Sequence, residues 1–222
     1  MAGIKQIDRD SALGGTGQDE WLLKALDTPL TGTFSANRPN VFYPSQLGNK
    51  CNRFLFLAYN GLLIPAPLPA KTQRIFDAGG SLEERMDKYF TDMGILEGRE
   101  KVVKCELPPI SGRADFLIRH GENGTIIIEL KSINSNNFGR LKTSPKPEHE
   151  LQIQIYLNLL NIENGVVLYE NKNDQTLKAF KVTKSVPYWD KVVDRCLKIM
   201  GMVECPPKCT GNRWCPCKEV TI

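Results

Sequence analysis

Residues 112 to 131 constrain this chain more than any other stretch, because they read as a β-hairpin with charge gathered at its open end. Phe116-Leu117-Ile118 is a short apolar run, Gly121-Glu122-Asn123-Gly124 supplies residues that tolerate positive φ, and Thr125-Ile126-Ile127-Ile128 is a β-branched strand. A turn centred on Glu122 and Asn123 places Asp115 across from Glu129 or its neighbour. Side chains alternate along a strand, so Glu129 and Lys131 share a face while Leu130 points away. Two carboxylates and one ammonium therefore converge. Facing carboxylates repel, and a bound Mg²⁺ or Mn²⁺ removes the repulsion while gaining oxygen ligands. Such a centre can activate water, with Lys131 positioning it or offsetting charge that grows on a phosphate. The competing reading is an exposed cross-strand ion triad on a sheet edge.

With 222 residues the chain can bury a sizeable core as one domain with appendages. A net charge of +4 permits a nucleic-acid partner without requiring one, so any basic surface comes from local clustering. No apolar run approaches the roughly 20 residues of a membrane helix, and Met1 to Asp10 lacks the apolar stretch of a secretory signal. The expectation is a cytoplasmic protein without a membrane partner. Seven cysteines, four of them within residues 205 to 217, indicate metal ligation in a reducing compartment rather than a disulfide framework.

The pattern divides the chain into an irregular arm (residues 1–42), a core domain (43–200) and a cysteine-rich tail (201–222) packed on that domain. The arm carries Gly14-Gly15-Thr16-Gly17 and one short helix around Trp21 to Leu26. Helical spacing runs from Ser45 to Leu63 and from Lys71 to Met93, the second interrupted by Gly79 and Gly80. Residues 101 to 131 read as strands, Glu148 to Leu160 as a helix, Gly165 to Tyr169 and Leu177 to Val182 as strands, and Tyr188 to Met200 as a last helix. Helices flanking a central mixed or antiparallel sheet make an α/β domain.

On the Glu148 to Leu160 helix, His149, Gln152 and Tyr156 project from one face. A solvated helix face is enough to explain His149. Gln152 and Tyr156 gain interest because a loop rich in Asn, Ser, Lys and Arg, Ser132 to Pro147, leads into that helix from the Glu129/Lys131 strand.

Gly112-x-x-Asp115, Glu129-x-Lys131 and Gln152-x-x-x-Tyr156, in this order and spacing, resemble the RecB-type branch of the PD-(D/E)XK nuclease superfamily, which includes CRISPR-adaptation exonucleases and phage recombination nucleases. The resemblance covers roughly residues 44 to 217 and implies a restriction-endonuclease-like core. It also implies that Asp115, Glu129 and the carbonyl of Leu130 ligate Mg²⁺ or Mn²⁺, that Lys131 is the catalytic lysine, and that Gln152 and Tyr156 support the site or the DNA. The family's Phe-x-x-Gly-x-x-x-His motif, whose His is a metal ligand, corresponds to Phe76-Asp77-Ala78-Gly79-Gly80-Ser81-Leu82-Glu83. Glu83 stands in the place of the His. A carboxylate is the harder ligand and suits these ions better than imidazole does.

Several members of the branch hold a [4Fe–4S] cluster on one early and three late cysteines. By that resemblance the ligands are Cys51, Cys205, Cys209 and Cys215, with one residue more than usual in the first gap and Cys217 spare. Thiolates suit zinc equally, and a self-contained Zn²⁺ site on Cys205, Cys209, Cys215 and Cys217 is the alternative. Cys105 and Cys196 sit in apolar patterns as small core residues.

The resulting expectation is a Mg²⁺- or Mn²⁺-dependent exonuclease for single-stranded DNA or DNA ends, serving recombination, repair or replication in a bacterial or phage-infected cell, with a possible recombination or replication protein partner. Arg113, Arg140, Lys142 and Lys146 are candidates for the phosphate backbone. The alternative is a non-catalytic DNA- or partner-binding module that retains the nuclease fold.

Overall fold

Strand β-branching and helical spacing sort this chain into helices packed on both faces of one sheet. A computed structural model describes residues 20–30, 32–33, 38–64, 67–122, 124–210 and 215–220. The elements run α1 (Glu20–Asp27), β1 (Gly32–Thr33), α2 (Pro44–Leu47), α3 (Asn52–Tyr59), β2 (Pro67–Leu68), α4 (Ala70–Asp92), β3 (Leu96–Cys105), β4 (Ile110–His120), β5 (Gly124–Ile133), α5 (Ser135–Arg140), α6 (Pro147–Leu159), β6 (Asn164–Asn171), β7 (Leu177–Thr183) and α7 (Val186–Met200), with 3₁₀ turns at Thr28–Leu30 and Pro216–Lys218. Two units divide the chain, one from residues up to 35 together with 65–78, the other from 36–64 and 79–222.

In the first unit β1 pairs antiparallel with β2, Gly32 opposite Leu68, and Asp27 forms an ion pair with Arg74. Its α1 is the short helix expected near Trp21. The expectations for residues 1–19, including the Gly14 to Gly17 run, and for 34–37 lie outside the described residues.

The second unit holds a five-stranded sheet in the order β3-β4-β5-β6-β7. Every neighbouring pair is antiparallel except β5 and β6, whose parallel pairing is reached through α5 and α6. The sheet is therefore mixed and flanked by helices, as the sequence pattern implies. β5 takes the central position because Ile126 to Leu130 is buried without a break, which only a strand covered on both faces sustains. Ile127, Val167 and Tyr169 pack with Ile153, Tyr156 and Leu157 of α6 and with buried residues of α3 and α7. Phe116, Ile126, Ile128 and Leu130 pack instead with Leu82, Met86 and Phe90 of α4, one helical stripe at i, i+4 and i+8.

Two details differ from the sequence expectation. The Ser45 to Leu63 segment is two helices rather than one, because α2 ends at Gly48 against α6, where a Cβ would lie 2.6 Å from Cβ of Glu148. Gly79 and Gly80 do not interrupt α4, which runs unbroken from Ala70 to Asp92. A helical glycine costs only about 1 kcal/mol against alanine, less than the burial of Leu82, Met86 and Phe90 returns.

Candidate metal centre and thiol cluster

The hairpin register pairs Phe116 with Ile128 and Ile118 with Ile126, and this extrapolates Asp115 to a position opposite Glu129. Regular pairing stops at that point. Ala114 packs in the α6-side core while Phe116, two residues on, packs in the α4-side core, so β4 changes face at Asp115. The neighbouring β3 residue, Glu100, adopts a positive φ of 48°. With the ladder opened, Asp115 Oδ2 accepts a hydrogen bond from the Leu130 backbone N–H at 2.8 Å.

Glu129 is 0% exposed, and its Oε1 accepts a hydrogen bond from Lys131 Nζ. Its Oε2 is buried with no hydrogen-bond partner. Burial pushes the Glu129 carboxyl up to about 8, with Lys131 pulling it back and Asp115 adding to the rise. Asp115 is also raised by burial, against the pull of Lys131 and the Leu130 N–H. For Lys131 burial works toward deprotonation, but the negative fields of Glu129 and Asp115 prevail and its pKa is raised. Glu83, half-buried on α4, is raised by burial and then by Asp115. Glu83, Asp115, Glu129 and Lys131 thus feel one another's charge. The orphaned Glu129 oxygen lies among carboxylates that repel, and carboxylate oxygens are the ligand type that hard divalent cations take. Among the described residues the ligand atoms grouped within 4.8 Å of one another are the thiols.

Glu83, Asp115, Gln152 and Tyr156 line one cleft of about 1000 Å³ that also carries Arg38, Lys104 and Arg113. Gln152 and Tyr156, one turn apart on α6, are both buried, and Gln152 Nε2 donates to the Tyr156 hydroxyl at 3.3 Å. The Tyr156 hydroxyl is raised by burial and by the negative field of Glu129. Gly112 has a steric reason: a Cβ there would lie 2.9 Å from the Pro44 ring and 3.2 Å from Cε1 of Tyr156.

His149 does not lie on a solvated face. It is half-buried, with Nδ1 2.8 Å from the Tyr169 hydroxyl, and burial followed by the charges of Lys131 and Lys146 pushes its pKa down to about 3. Among the basic candidates, Arg113 is ion-paired with Glu100 at 3.2 Å. Arg140, Lys142 and Lys146 border a separate groove of about 390 Å³ formed by residues 137 to 147.

The thiols converge far from one another in sequence. The Sγ atoms of Cys51, Cys209, Cys215 and Cys217 all lie within 4.8 Å of one another. Cys51 caps the N-terminus of α3, its Sγ accepting from Phe54 N–H at 3.3 Å. Arg195 of α7 fixes the segment before it through bonds to the carbonyls of Leu47 (2.9 Å) and Asn49 (2.7 Å) and to Asn52 Oδ1 (3.1 Å). The set differs from the expected one at a single position. Cys205 stands apart, its Sγ taking a hydrogen bond from Arg53 Nη1 at 3.0 Å, and Cys217 fills the place given to it. Against the zinc set the difference is also at Cys205, whose place is taken by Cys51. These four thiols could hold a metal ion or a [4Fe–4S] cluster.

Arg53 is the residue that the sequence reading passed over. Only 6% exposed, it also donates to the carbonyls of Pro206 (2.7 Å), Cys217 (3.3 Å) and Val220 (3.0 Å), clamping the tail onto α3. An arginine followed directly by Phe54-Leu55-Phe56-Leu57 was the available signal, since a guanidinium beside so apolar a run needs several acceptors.

No protein-family profile matches the chain. A 71-residue stretch, 32% of this chain, is 38% identical to the CRISPR-associated exonuclease Cas4 of Saccharolobus solfataricus, and it spans only 33% of that relative's length. The fold is similar to the solved structure of SSO0001, with a TM-score of 0.58 and 19% identity over 84% of this chain and 88% of that one. It is also similar to the alkaline exonuclease LHK-Exo of Laribacter hongkongensis, with a TM-score of 0.53 and 14% identity over 73% of this chain and 87% of that one. The chain thus shares its fold with SSO0001 and LHK-Exo, and about a third of it is similar in sequence to a CRISPR-associated exonuclease.

Proposed function

We propose that this chain is a divalent-metal-dependent deoxyribonuclease, an exonuclease that hydrolyses phosphodiester bonds of single-stranded DNA or DNA ends. The observation that carries the reading is Glu129 Oε2, buried and without a partner, beside Lys131 and across from Asp115. A scaffold gains nothing from an unsatisfied carboxylate oxygen, which costs about 1–3 kcal/mol unless something binds it. The naming of one sequence relative and one fold relative as exonucleases supports the same activity.

Asp115, Glu129, Glu83 and the Leu130 carbonyl would hold Mg²⁺ or Mn²⁺. Such an ion supplies Lewis acidity toward the phosphate and the attacking water. Lys131 keeps its proton and sets a positive charge where phosphate charge grows during cleavage. Gln152 and Tyr156 orient groups in the cleft, with Tyr156 remaining a neutral hydrogen-bond donor. Arg140, Lys142 and Lys146 contact the sugar–phosphate chain, so binding weakens with salt.

The test is incubation of the protein with labelled single- and double-stranded DNA and Mn²⁺, beside Lys131→Ala. Degradation by the parent and none by the variant is expected; equal degradation, or none by either, overturns the catalytic reading. Closed circular DNA stays intact if ends are required. For the thiols the proposal is a [4Fe–4S] cluster on Cys51, Cys209, Cys215 and Cys217, with zinc as the alternative. Anaerobically prepared protein with a broad brown absorption supports the cluster, and colourless protein that contains zinc replaces it.

A further inference from the structure

We propose that the half-buried ion pair between Arg85 and Glu170 is a positioning device that sets the rotation of α4 and so aims Glu83 at the metal centre; this rests on the reading of Glu83 as a ligand given above. The argument starts from the helix. Leu82, Met86 and Phe90 form its buried stripe against β4 and β5. At 100° per residue Glu83 and Arg85 leave that stripe on opposite flanks, Glu83 toward Asp115 on β4 and Arg85 toward β6. The apolar stripe sets which face of α4 meets the sheet but supplies no directional contact to fix its roll. A charged contact on one flank fixes it.

Glu170 is built for that contact. It is 4% exposed, near the end of β6, and Arg85 Nη2 donates to its Oε2. Arg85 Nη1 also reaches Gln175 Oε1 at 3.2 Å, while Arg85 Nε is buried with no partner. The contact leaves Arg85 Nε buried and unsatisfied, a cost that a pair kept for stability alone would not carry. The register ties the pair to the chemistry. Glu170 lies opposite Ser132 in the parallel β5–β6 ladder, and the preceding rung joins Tyr169 to Lys131. Arg85 therefore links the helix that carries Glu83 to β6, the strand paired with the one that carries Glu129 and Lys131.

The experiment measures Mn²⁺ affinity of the full chain by electron paramagnetic resonance of the free ion, a readout that needs no catalysis. The proteins compared are the parent, Arg85→Met, Arg85→Lys, Glu170→Gln, Glu83→Gln and the double variant Arg85→Met/Glu83→Gln, each checked by thermal melting. Arg85→Met and Glu170→Gln are expected to weaken binding about tenfold, Arg85→Lys to recover most of the loss, and Arg85→Met to add nothing once Glu83 is Gln. Glu170→Gln keeps the shape of the strand residue, so it reports the effect even where Arg85→Met fails to fold. Parent-like affinity in Arg85→Met and Glu170→Gln, with Glu83→Gln weakened, overturns the positioning role and leaves the metal reading standing. Parent-like affinity in Glu83→Gln overturns Glu83 as a ligand and the positioning role with it. An Arg85→Met loss that persists in the double variant overturns the route through Glu83.

Discussion

The carboxylate centre and the thiol cluster are assembled in opposite ways. Asp115, Glu129 and Lys131 come from one hairpin, so local pairing and the irregularity of β4 at Asp115 bring them together, and Glu83 joins them from a helix packed on the same strands. The thiols come from residue 51 and residues 209 to 217, joined only once α3, α7 and the tail have docked. Their supports differ as well. The carboxylates keep one oxygen unsatisfied, a local cost that a ligand relieves, whereas the thiols are surrounded by satisfied arginines, Arg53 holding the tail and Arg195 holding the Cys51 segment. On the proposed function this is a division of labour: the hairpin serves the chemistry and the cysteines close the fold.

The largest effect that tests this division belongs to the thiols. Structural metal sites contribute on the order of 10 kcal/mol to folding, so Cys217→Ser is expected to lose bound metal and to melt far below the parent, while Cys205→Ser retains metal and melts near it. Metal analysis and thermal melting decide between them. The reverse result, with Cys205 required and Cys217 dispensable, would break the assignment of the fourth ligand.

Next in size is Lys131→Ala, expected to lower nuclease activity on the order of 10³-fold. Its melting temperature should fall modestly in the metal-free protein, because the buried Glu129 Oε1 loses its hydrogen-bond partner. A variant that loses activity only in proportion to lost fold would make the hairpin a structural feature like the cysteines.

A third effect is carried by pH. In the metal-free protein Glu129 titrates near 8 against an ordinary 4.5, so the folded state binds more protons than the unfolded one between those values. Its contribution is complete below the unfolded value and is lost as pH rises through the folded one, roughly 2 kcal/mol between pH 6.5 and 8. That window avoids His149, whose depressed value of about 3 removes stability only as pH falls below the ordinary 6.5. It takes in Cys217, whose thiol, lowered to about 7, adds stability as pH rises, so the Glu129 share is the difference between the slopes of the parent and Glu129→Gln. Denaturant melts at both pH values check the slope. Glu129→Gln should remove that share, and saturating Mn²⁺ should reverse it, because the ion binds only the carboxylate form.

The same contrast explains what the residues disclosed in advance. Hairpin register is a local property, so Asp115 opposite Glu129, Lys131 beside it and the mixed sheet around them follow from alternation and turn chemistry before any tertiary contact is known. Burial is not local. The polar residues His149, Gln152 and Tyr156 gave no sign that α6 is buried along most of its length, since that depends on α2, α7 and the sheet closing over it. The cysteine set was readable as a class but not as a list. The resemblance favoured Cys205, whereas the sulfur that joins the other three is that of Cys217, and Arg53, more than 150 residues from Cys205, takes the Cys205 sulfur for itself.

The smallest effect concerns two glycines on opposite sides of this divide. Gly80 lies within α4, and a Cβ built there meets nothing within 4 Å, so no packing demands a glycine. Gly80→Ala should raise stability by about 0.5–1 kcal/mol, by reducing the freedom of the unfolded chain and favouring helix. Gly112 sits where the Pro44 ring and Tyr156 close on β4, with contacts of 2.9 and 3.2 Å awaiting any Cβ. Gly112→Ala should lower stability by about 1–3 kcal/mol, since a proline ring and a buried phenol have little room to give. Thermal melts of the two variants in parallel measure both signs. A neutral Gly112→Ala would mean that the contact between α2, α6 and β4 is looser than its geometry, and that Tyr156 is held over the cleft by something other than close packing.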